Sequence, residues 1–423
     1  MRMRELDECF QASDKPLTVA DALAAFSNRL SCLAEVEKVP LRDSLRRILA
    51  QDLLAARNIP PHDNSAVDGY AVYYEDLNLD KVTSLPVTGR IAAGHPLDRA
   101  AAKGEAVQIF TGAPAPEGPD TIFMVEDCQE DGDNILLPPG IKRGANLRHA
   151  GEDVKTGDRV LSAGIRLRPQ DVGMAASLGC AEIDVFKRLK VAVFSTGDEV
   201  RDAGDDLPAG TIYDTNRYSI MTMLKQLGCG ITDVGIFPDD LAEIRNGLEA
   251  ASLDHDLLVT SGGVSMGEED HVKAAVEELG ALHMWKLAIK PGRPIALGQI
   301  DCGDRQVPFI GLPGNPVAVM VTFMCIARPL ILLLSGASQM EPVLFKVPAG
   351  FAFDKKPGRR EWLRAHLKKQ ADGGMVVQKY PADGSGILSS MVESDGLIEL
   401  PEDLESIQVG QLVDFLPFNE VLG

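Results

Sequence analysis

The sequence predicts a multidomain α/β protein organised around a three-layer unit with a mainly parallel sheet. From Leu189 onward, apolar β-former runs alternate with one-face helical patterns, the signature of repeated βα units. By contrast, 63–144 and 340–423 hold short strand-like runs broken by Gly and Pro, as all-β modules do. At 423 residues the chain is too long for one ordinary core, so three or four domains are expected. The expected division is 15–62 with 145–186 as a helical/mixed domain, 63–144 as a β-rich domain inserted into it, 187–336 as the α/β domain, and 340–423 as the last.

Composition bounds the function. Hydrophobic residues make up 45% and charged residues 25%, the balance of a globular chain rather than a disordered one. A net charge of −20 argues against nucleic-acid or anionic-membrane partners, because long-range repulsion opposes such encounters. An anionic small ligand would therefore need local positive charge or a metal. Seven scattered cysteines without CxxC spacing indicate neither a disulfide framework nor a zinc site, and fit a reducing cytoplasm. MRMRELDECF has no apolar signal core. Val317 to Leu334 is a long apolar run, but Arg328 and Pro329 within it favour a buried helix over a membrane span.

In chain order, Val19, Ala22, Leu23 and Phe26 form a helical stripe, and a second helix is expected over Leu41 to Leu53. In ARNIPPHDNSAVDGYAVYYEDL, Pro60 and Pro61 exclude helix, and Asp63, Asn64, Asp68 and Gly69 supply turn chemistry before a strand at Tyr70 to Tyr74. These acids either satisfy their own turn or face a ligand. FTGAPAPEG leaves the strand Val107 to Phe110 with Thr111 and Gly112 at its exit. KRGANLRHAGEDVKTGD reads as a charged loop, and a helix is expected from Pro169 to Leu178.

The βα units place four strand ends on one edge: Ser195 to Glu199, Pro238 to Asp240, Ser261 to Gly263 and Leu312 to Pro316. In DLLVTSGGVSMGEEDHVKAAVEELG, Gly262 and Gly263 allow close approach of an anion, and Ser265 with Glu268 matches a capping box. Glu268, Glu269 and Asp270 either complement the helix dipole or hold a cation that bridges to a phosphate. Two acidic and two glycine-containing strand ends together favour a phosphate-plus-divalent-cation site. In WKLAIKPGRP, strand alternation would put Lys286 and Lys290 on the same side, suited to an oxyanion. In the last segment, Arg359, Arg360, Arg364 and Gly384-Ser385-Gly386 have anion-binding character.

PPHDNSAVDGYAV, FTGAPAPEG, RHAGEDV, FSTGDEV, TSGGVSMGEED, KLAIKPGRP and GLPGNPVAV, in that order, resemble the molybdopterin molybdenumtransferase family, which is related to the E domain of gephyrin. The resemblance implies a molybdopterin-binding α/β third domain and a small C-terminal β-barrel. It implies adenylylated molybdopterin and molybdate as substrates, Mg²⁺ dependence, and release of AMP with molybdenum cofactor. Under it, Asp63, Glu199, Asp239, Asp270, Lys286 and Lys290 are catalytic, with Glu199, Asp239 and Asp270 on the metal and Glu268 left as a helix cap. Thr111, Asp153, Ser261, Gly262, Gly263, Ser265, Pro313, Gly314, Pro316, Arg364 and Ser385 are the implied substrate-binding residues. Of these, Ser265, Arg364 and Ser385 would hold molybdate beside the lysines. The family pattern has more arginine where this chain has His149 and Ala150.

The resemblance further implies a homodimer whose cleft is completed by Asp63 and Thr111 of the second subunit. A molybdopterin adenylyltransferase and molybdoenzyme maturation proteins are expected partners. The competing readings are a molybdopterin adenylyltransferase, which shares the third domain and its SGG turn, and a non-catalytic dimeric scaffold of the gephyrin kind.

Overall fold

The computed structural model describes residues 16–263 and 271–422. Helix α1 (Val19–Arg29) starts at a capping box, in which the Asp21 amide donates to Thr18 Oγ1 and the Thr18 amide to the Asp21 carboxylate. Its stripe of Val19, Ala22 and Phe26 is buried, with Phe26 stacked on Trp285 at 5.7 Å between centroids. The helix expected over Leu41 to Leu53 does not form. Strand β1 (Val36–Pro40) leads into a single 3-10 turn at Leu41–Asp43, and Arg46 adopts φ +63°, which ends any helix. Ile48 and Leu49 make backbone bridges to Arg166 and Val185, and their side chains are buried in two different clusters, as along a strand.

After β2 (Leu53–Leu54) and β3 (Asn64–Ser65) comes a sheet of β4 (Gly69–Val72), β5 (Thr83–Ile91), β6 (Ala106–Ile109), β7 (Thr121–Met124), β8 (Gln129–Asp131) and β9 (Asn134–Leu137), ordered β7-β4-β6-β5-β9-β8. The chain returns through β10 (Leu147–Arg148), β11 (Arg159–Leu161), α2 (Pro169–Ser177) and β12 (Glu182–Phe186). The antiparallel pairs β3–β10, β2–β11 and β1–β12 zip the segment before that sheet to the segment after it.

The α/β unit runs β13 (Lys190–Thr196), the short parallel pair β14 (Val200–Arg201) and β15 (Ile212–Tyr213), α3 (Asn216–Gln226), β16 (Gly230–Phe237), α4 (Leu241–Asp254), β17 (Leu257–Ser261), α5 (His271–Leu279), β18 (Gly280–Lys286), β19 (Ile289–Lys290), β20 (Pro294–Cys302), β21 (Arg305–Leu312) and α6 (Pro316–Leu334). Its sheet order is β16-β13-β17-β21-β20-β18, parallel through the first four strands and antiparallel in the last two. Alternation along β13 turns Ala192 and Phe194 toward Ile244, Leu248 and Val272, and Val191 and Val193 toward Ile220, Leu224 and α6. Helices thus cover both faces. Helix α6 is long and apolar enough to cross a membrane, but most of it is buried in this core, and a π turn at Phe323–Ala327 precedes Pro329.

One expected strand is in fact two. β18 ends at Lys286, Leu287 bridges to Leu17, and β19 joins a different sheet, so alternation does not carry from Lys286 to Lys290.

The last segment contains β22 (Phe345–Pro348), β23 (Phe353–Asp354), β24 (Arg360–Lys369), β25 (Met375–Lys379), α7 (Ser389–Val392), β26 (Gly396–Leu400), β27 (Ser406–Ile407), β28 (Leu412–Pro417) and α8 (Phe418–Leu422). Pairing runs β25-β24-β26-β28-β22, and the Ala349–Val377 bridge returns the end of β22 to β25, closing a small barrel around Leu363, Ala365, Val377, Ile398 and Phe415. β19 pairs with Arg360 and Glu361 and fastens the barrel to the α/β unit.

Candidate active site at the strand ends

Because β16, β13, β17 and β21 are parallel neighbours, their carboxyl ends and the following loops share one edge of the sheet. There a cleft of ≈ 540 Å³ opens between the α/β unit and the barrel. It gathers Gly262, Gly263, Lys290, Pro313, Gly314 and Ser385 from the implied site residues, together with Asn315 of the expected strand end and Arg359 of the last segment, and adds Arg293 and Asp383. Gly262 has φ +78° with open space where a Cβ would stand, so a ligand can approach its bare backbone. Its own N–H donates to the Leu312 carbonyl at 3.1 Å, which leaves the exposed α-carbon, not that amide, as the feature facing the cleft. Gly263 is exposed, but the direction a Cβ would take is blocked, since it would come within 2.7 Å of Thr196 Oγ1 and 2.8 Å of Val272.

One of the cleft's cations, Lys290, is held in place from behind. Lys290 Nζ donates to Glu361 Oε2 at 3.1 Å, and the Glu361 side chain is 3% exposed. Arg364, expected to hold an oxyanion, is buried under the Ser385 loop. Its Nη2 donates to the carbonyls of Ala382 (2.8 Å) and Gly384 (3.2 Å) and its Nε to Ser390 Oγ (3.0 Å). Burial pulls its proton affinity below the usual arginine range. The Ser385 carbonyl in turn accepts the Val317 N–H at the start of α6, and Asn216 Nδ2 donates to the Gly314 carbonyl.

Beside the cleft lie the acids. Asp198 and Asp239 hydrogen-bond each other's backbone amides, and Asp240 caps α4 through the Glu243 amide at 2.9 Å. The loop carrying Asp198 and Glu199 is tied down by Arg217, which is 1% exposed and reaches Asp202 at 2.7 Å, Asp233 at 2.9 Å and Asp214 at 3.2 Å. Among the described residues no three His, Cys, Asp or Glu side chains are close enough together to hold a metal. Ser265, Glu268 and Asp270 lie outside the described residues. The acids that are described, Glu199 and Asp239, offer oxygen donors only, which suits a hard, partly hydrated cation such as Mg²⁺.

Lys286 stands exposed at the end of β18, on the same edge but off the cleft lining. Ser261 is buried, and Pro316 begins α6 between Asn315 and Ala318, which do line the cleft.

A second group of expected residues assembles elsewhere. Asp63 accepts from the Ala150 amide at 2.8 Å and contacts His149 Nδ1 at 3.1 Å. The Ala150 N–H is the main cause that keeps its carboxyl below the usual range, with His149 a smaller one. Asp68 Oδ1 accepts both the amide and the hydroxyl of Thr111 at 2.7 Å, and the amide is the larger cause of its lowered carboxyl. The Ala115 N–H reaches the Asp63 carbonyl and the Asp153 N–H the Ile59 carbonyl, which draws all three loops together. None of Asp63, Thr111 and Asp153 lines the strand-end cleft.

Sequence reasoning overlooked Glu361, Asp383 and Asn216. Glu361 alternates with apolar residues in REWLRAHL and looks solvent-facing, and Asn216 opens an ordinary helix; neither carries a local signal. Asp383 directly precedes Gly384-Ser385-Gly386, a proximity that could have marked it.

Family models match in order: the MoeA N-terminal region (domain I and II) over residues 17–179, a probable molybdopterin binding domain over 192–332, and the MoeA C-terminal region (domain IV) over 346–418. A molybdopterin molybdenumtransferase of Haemophilus influenzae is 39% identical over 410 residues, covering 96% of this chain and 100% of its own. One from Nostoc is 33% identical, covering 88% and 86%. The crystal structure of a molybdopterin biosynthesis moeA protein from Pyrococcus horikoshii OT3 superposes with a TM-score of 0.80 at 29% identity, over 95% of this chain and 99% of that one. Three family models in sequence and a relative matched along its whole length place the chain in the molybdopterin molybdenumtransferase family, transferases of molybdenum cofactor biosynthesis.

Proposed function

We propose that this protein transfers molybdenum from molybdate into adenylylated molybdopterin, with Mg²⁺, releasing AMP and molybdenum cofactor. The observation that carries the reading is the strand-end cleft, where an open glycine turn and three cationic residues, Lys290, Arg293 and Arg359, line one cavity with carboxylates on the adjoining strand ends. Bare backbone at Gly262 admits a bulky phosphate, and the cations oppose the charge of phosphate and molybdate. Glu199 and Asp239 would hold Mg²⁺, which supplies neutralisation of charge on the departing AMP phosphate as the anhydride bond breaks. Lys290, oriented by Glu361, and Ser385, positioned by the Arg364-held loop, orient the oxyanion. The match to both terminal MoeA regions favours this reaction over adenylyl transfer to the pterin.

We further propose a homodimer in which the Asp63–Thr111 group of one subunit completes the cleft of the other. The separation of the two residue groups within one chain supports this. Seven scattered cysteines without CxxC spacing favour a reducing cytoplasm as its setting. The adenylyltransferase that supplies its substrate and maturation proteins that accept its product are its expected partners.

The test supplies purified protein with adenylylated molybdopterin, molybdate and Mg²⁺. AMP should appear in step with molybdenum cofactor, and EDTA or omission of molybdate should stop it; no AMP release under complete conditions defeats the proposal. Mixing an Asp63→Asn chain with a Glu199→Gln chain should restore part of the activity, and a mixture as inactive as either chain alone defeats the shared site.

A further inference from the structure

A second large cavity, ≈ 570 Å³, lies where the loop Gly164–Pro169 meets the carboxyl end of α6, and it shares no lining residue with the strand-end cleft. Arg46, Arg166 and Arg328 line it. Arg328 is 9% exposed; its Nη1 donates to the Met340 carbonyl at 2.8 Å, while its Nε is buried with no partner. Arg46 donates to Gln226 Oε1 at 2.7 Å, and Arg166 to the Gln226 carbonyl, so both are held by neutral acceptors. Among the described residues no carboxylate lies within ion-pair distance of these three, and the one nearby pair, Arg168 with Asp171, neutralises itself. Glu341 and Glu420 also line the cavity; neither makes a contact ion pair with the three, although the Glu420 charge acts on Arg328 from a distance.

Burial, then the Arg166 charge, push the Arg328 guanidinium down to about 10 against a smaller opposing pull from the Glu420 carboxylate, and burial followed by the Arg46 charge lowers Arg166 as well. A desolvated cation cluster with an unused, buried donor is costly unless an anion completes it. Leu45 and Val343, 47% and 49% exposed, form apolar wall beside the charges.

We propose that this cavity is a binding site for a small organic phosphate, whose head group sits among Arg46, Arg166 and Arg328 and whose apolar body lies on Leu45 and Val343. Planar guanidinium groups match phosphate oxygens two at a time, and the apolar wall distinguishes an ester from the bare ion.

The test is titration calorimetry on the full chain at fixed ionic strength with three probes: inorganic phosphate, phenyl phosphate and phenol. Phenyl phosphate should saturate a site that persists in Lys290→Met and bind there about tenfold more tightly than inorganic phosphate, with phenol silent. Arg166→Gln, at a partly exposed position, should weaken phenyl phosphate at least tenfold with an unchanged melting temperature, and Arg328→Gln should do the same where it folds. Lys290→Met, in the other cleft, should leave this binding intact. Equal affinity in Arg166→Gln and the parent, absence of saturation, or loss in Lys290→Met alone would each overturn the proposal. Equal affinity for phosphate and phenyl phosphate would reassign the site to the free ion and overturn the organic ligand.

Discussion

Asp198 and Asp239 accept each other's backbone amide, at 3.2 Å in both directions, across the ends of β13 and β16. Each carboxylate is thereby aimed by the other's peptide. An Asp239→Asn side chain can still accept the Asp198 N–H through its carbonyl oxygen, so folding should change little, within about 2 °C of the parent melting temperature. The lost negative charge removes a proposed cation donor, and AMP release should fall roughly 100-fold. Asp239→Ala removes both functions and should add a stability loss of about 1 kcal/mol. Unimpaired turnover in Asp239→Asn, measured at saturating Mg²⁺, would remove Asp239 from the reaction.

The Lys290–Glu361 pair separates charge placement from stability. Removing the lysine leaves a nearly fully buried carboxylate without its partner, so Lys290→Met should cost about 1–3 kcal/mol in urea unfolding. Adding Glu361→Gln should recover most of that stability, because the buried charge is gone. Activity should not return, since the cleft still lacks its cation. Recovery of activity in the double variant would show that Lys290 acts on the fold alone.

Neighbouring glycines should respond differently. Gly262→Ala meets open space and incurs mainly the left-handed backbone penalty, about 1–2 kcal/mol. Its methyl projects where the phosphate is proposed to approach, so substrate KM should rise well beyond that loss of stability. Gly263→Ala meets Thr196 and Val272 and should destabilise more, visible first as a lower melting temperature. Identical KM in Gly262→Ala and the parent would move the phosphate off this turn.

The strand–helix alternation was legible because each βα unit carries its own period, and the four strand ends followed from parallel order alone. Val191 and Val193 against Ala192 and Phe194 show why: burial on both faces writes a continuous apolar run. Leu41 to Leu53 misled because its apolar spacing also fits residues that bridge alternately to two different partners, and only Arg46 at φ +63° decides between them. Lys286 and Lys290 misled because a strand's alternation says nothing about where the chain changes sheets. Arg364 has the charge an oxyanion needs, but the carbonyls of Ala382 and Gly384 claim it first, a competition among residues about twenty positions apart that no local pattern contains.

Glu105 gives the acid limb of stability a readable handle. Hydrogen bonding to Arg99, reinforced by Thr88 and the Ala102 amide, lowers its carboxyl from 4.5 to about 2. A carboxyl depressed in the folded state stabilises the protein above its unfolded value and loses that contribution as pH falls through the folded value. The contribution is therefore full above about 4.5 and vanishes toward 2. Glu105→Gln should be less stable than the parent at neutral pH and converge with it as pH drops through that window, while Asp63 and Asp68, also lowered, titrate alike in both proteins. The difference in unfolding free energy between the two, followed against pH at low salt, isolates the pair. A difference that stays constant from neutral pH to about 2 would mean that Glu105 acts through packing and not through its charge.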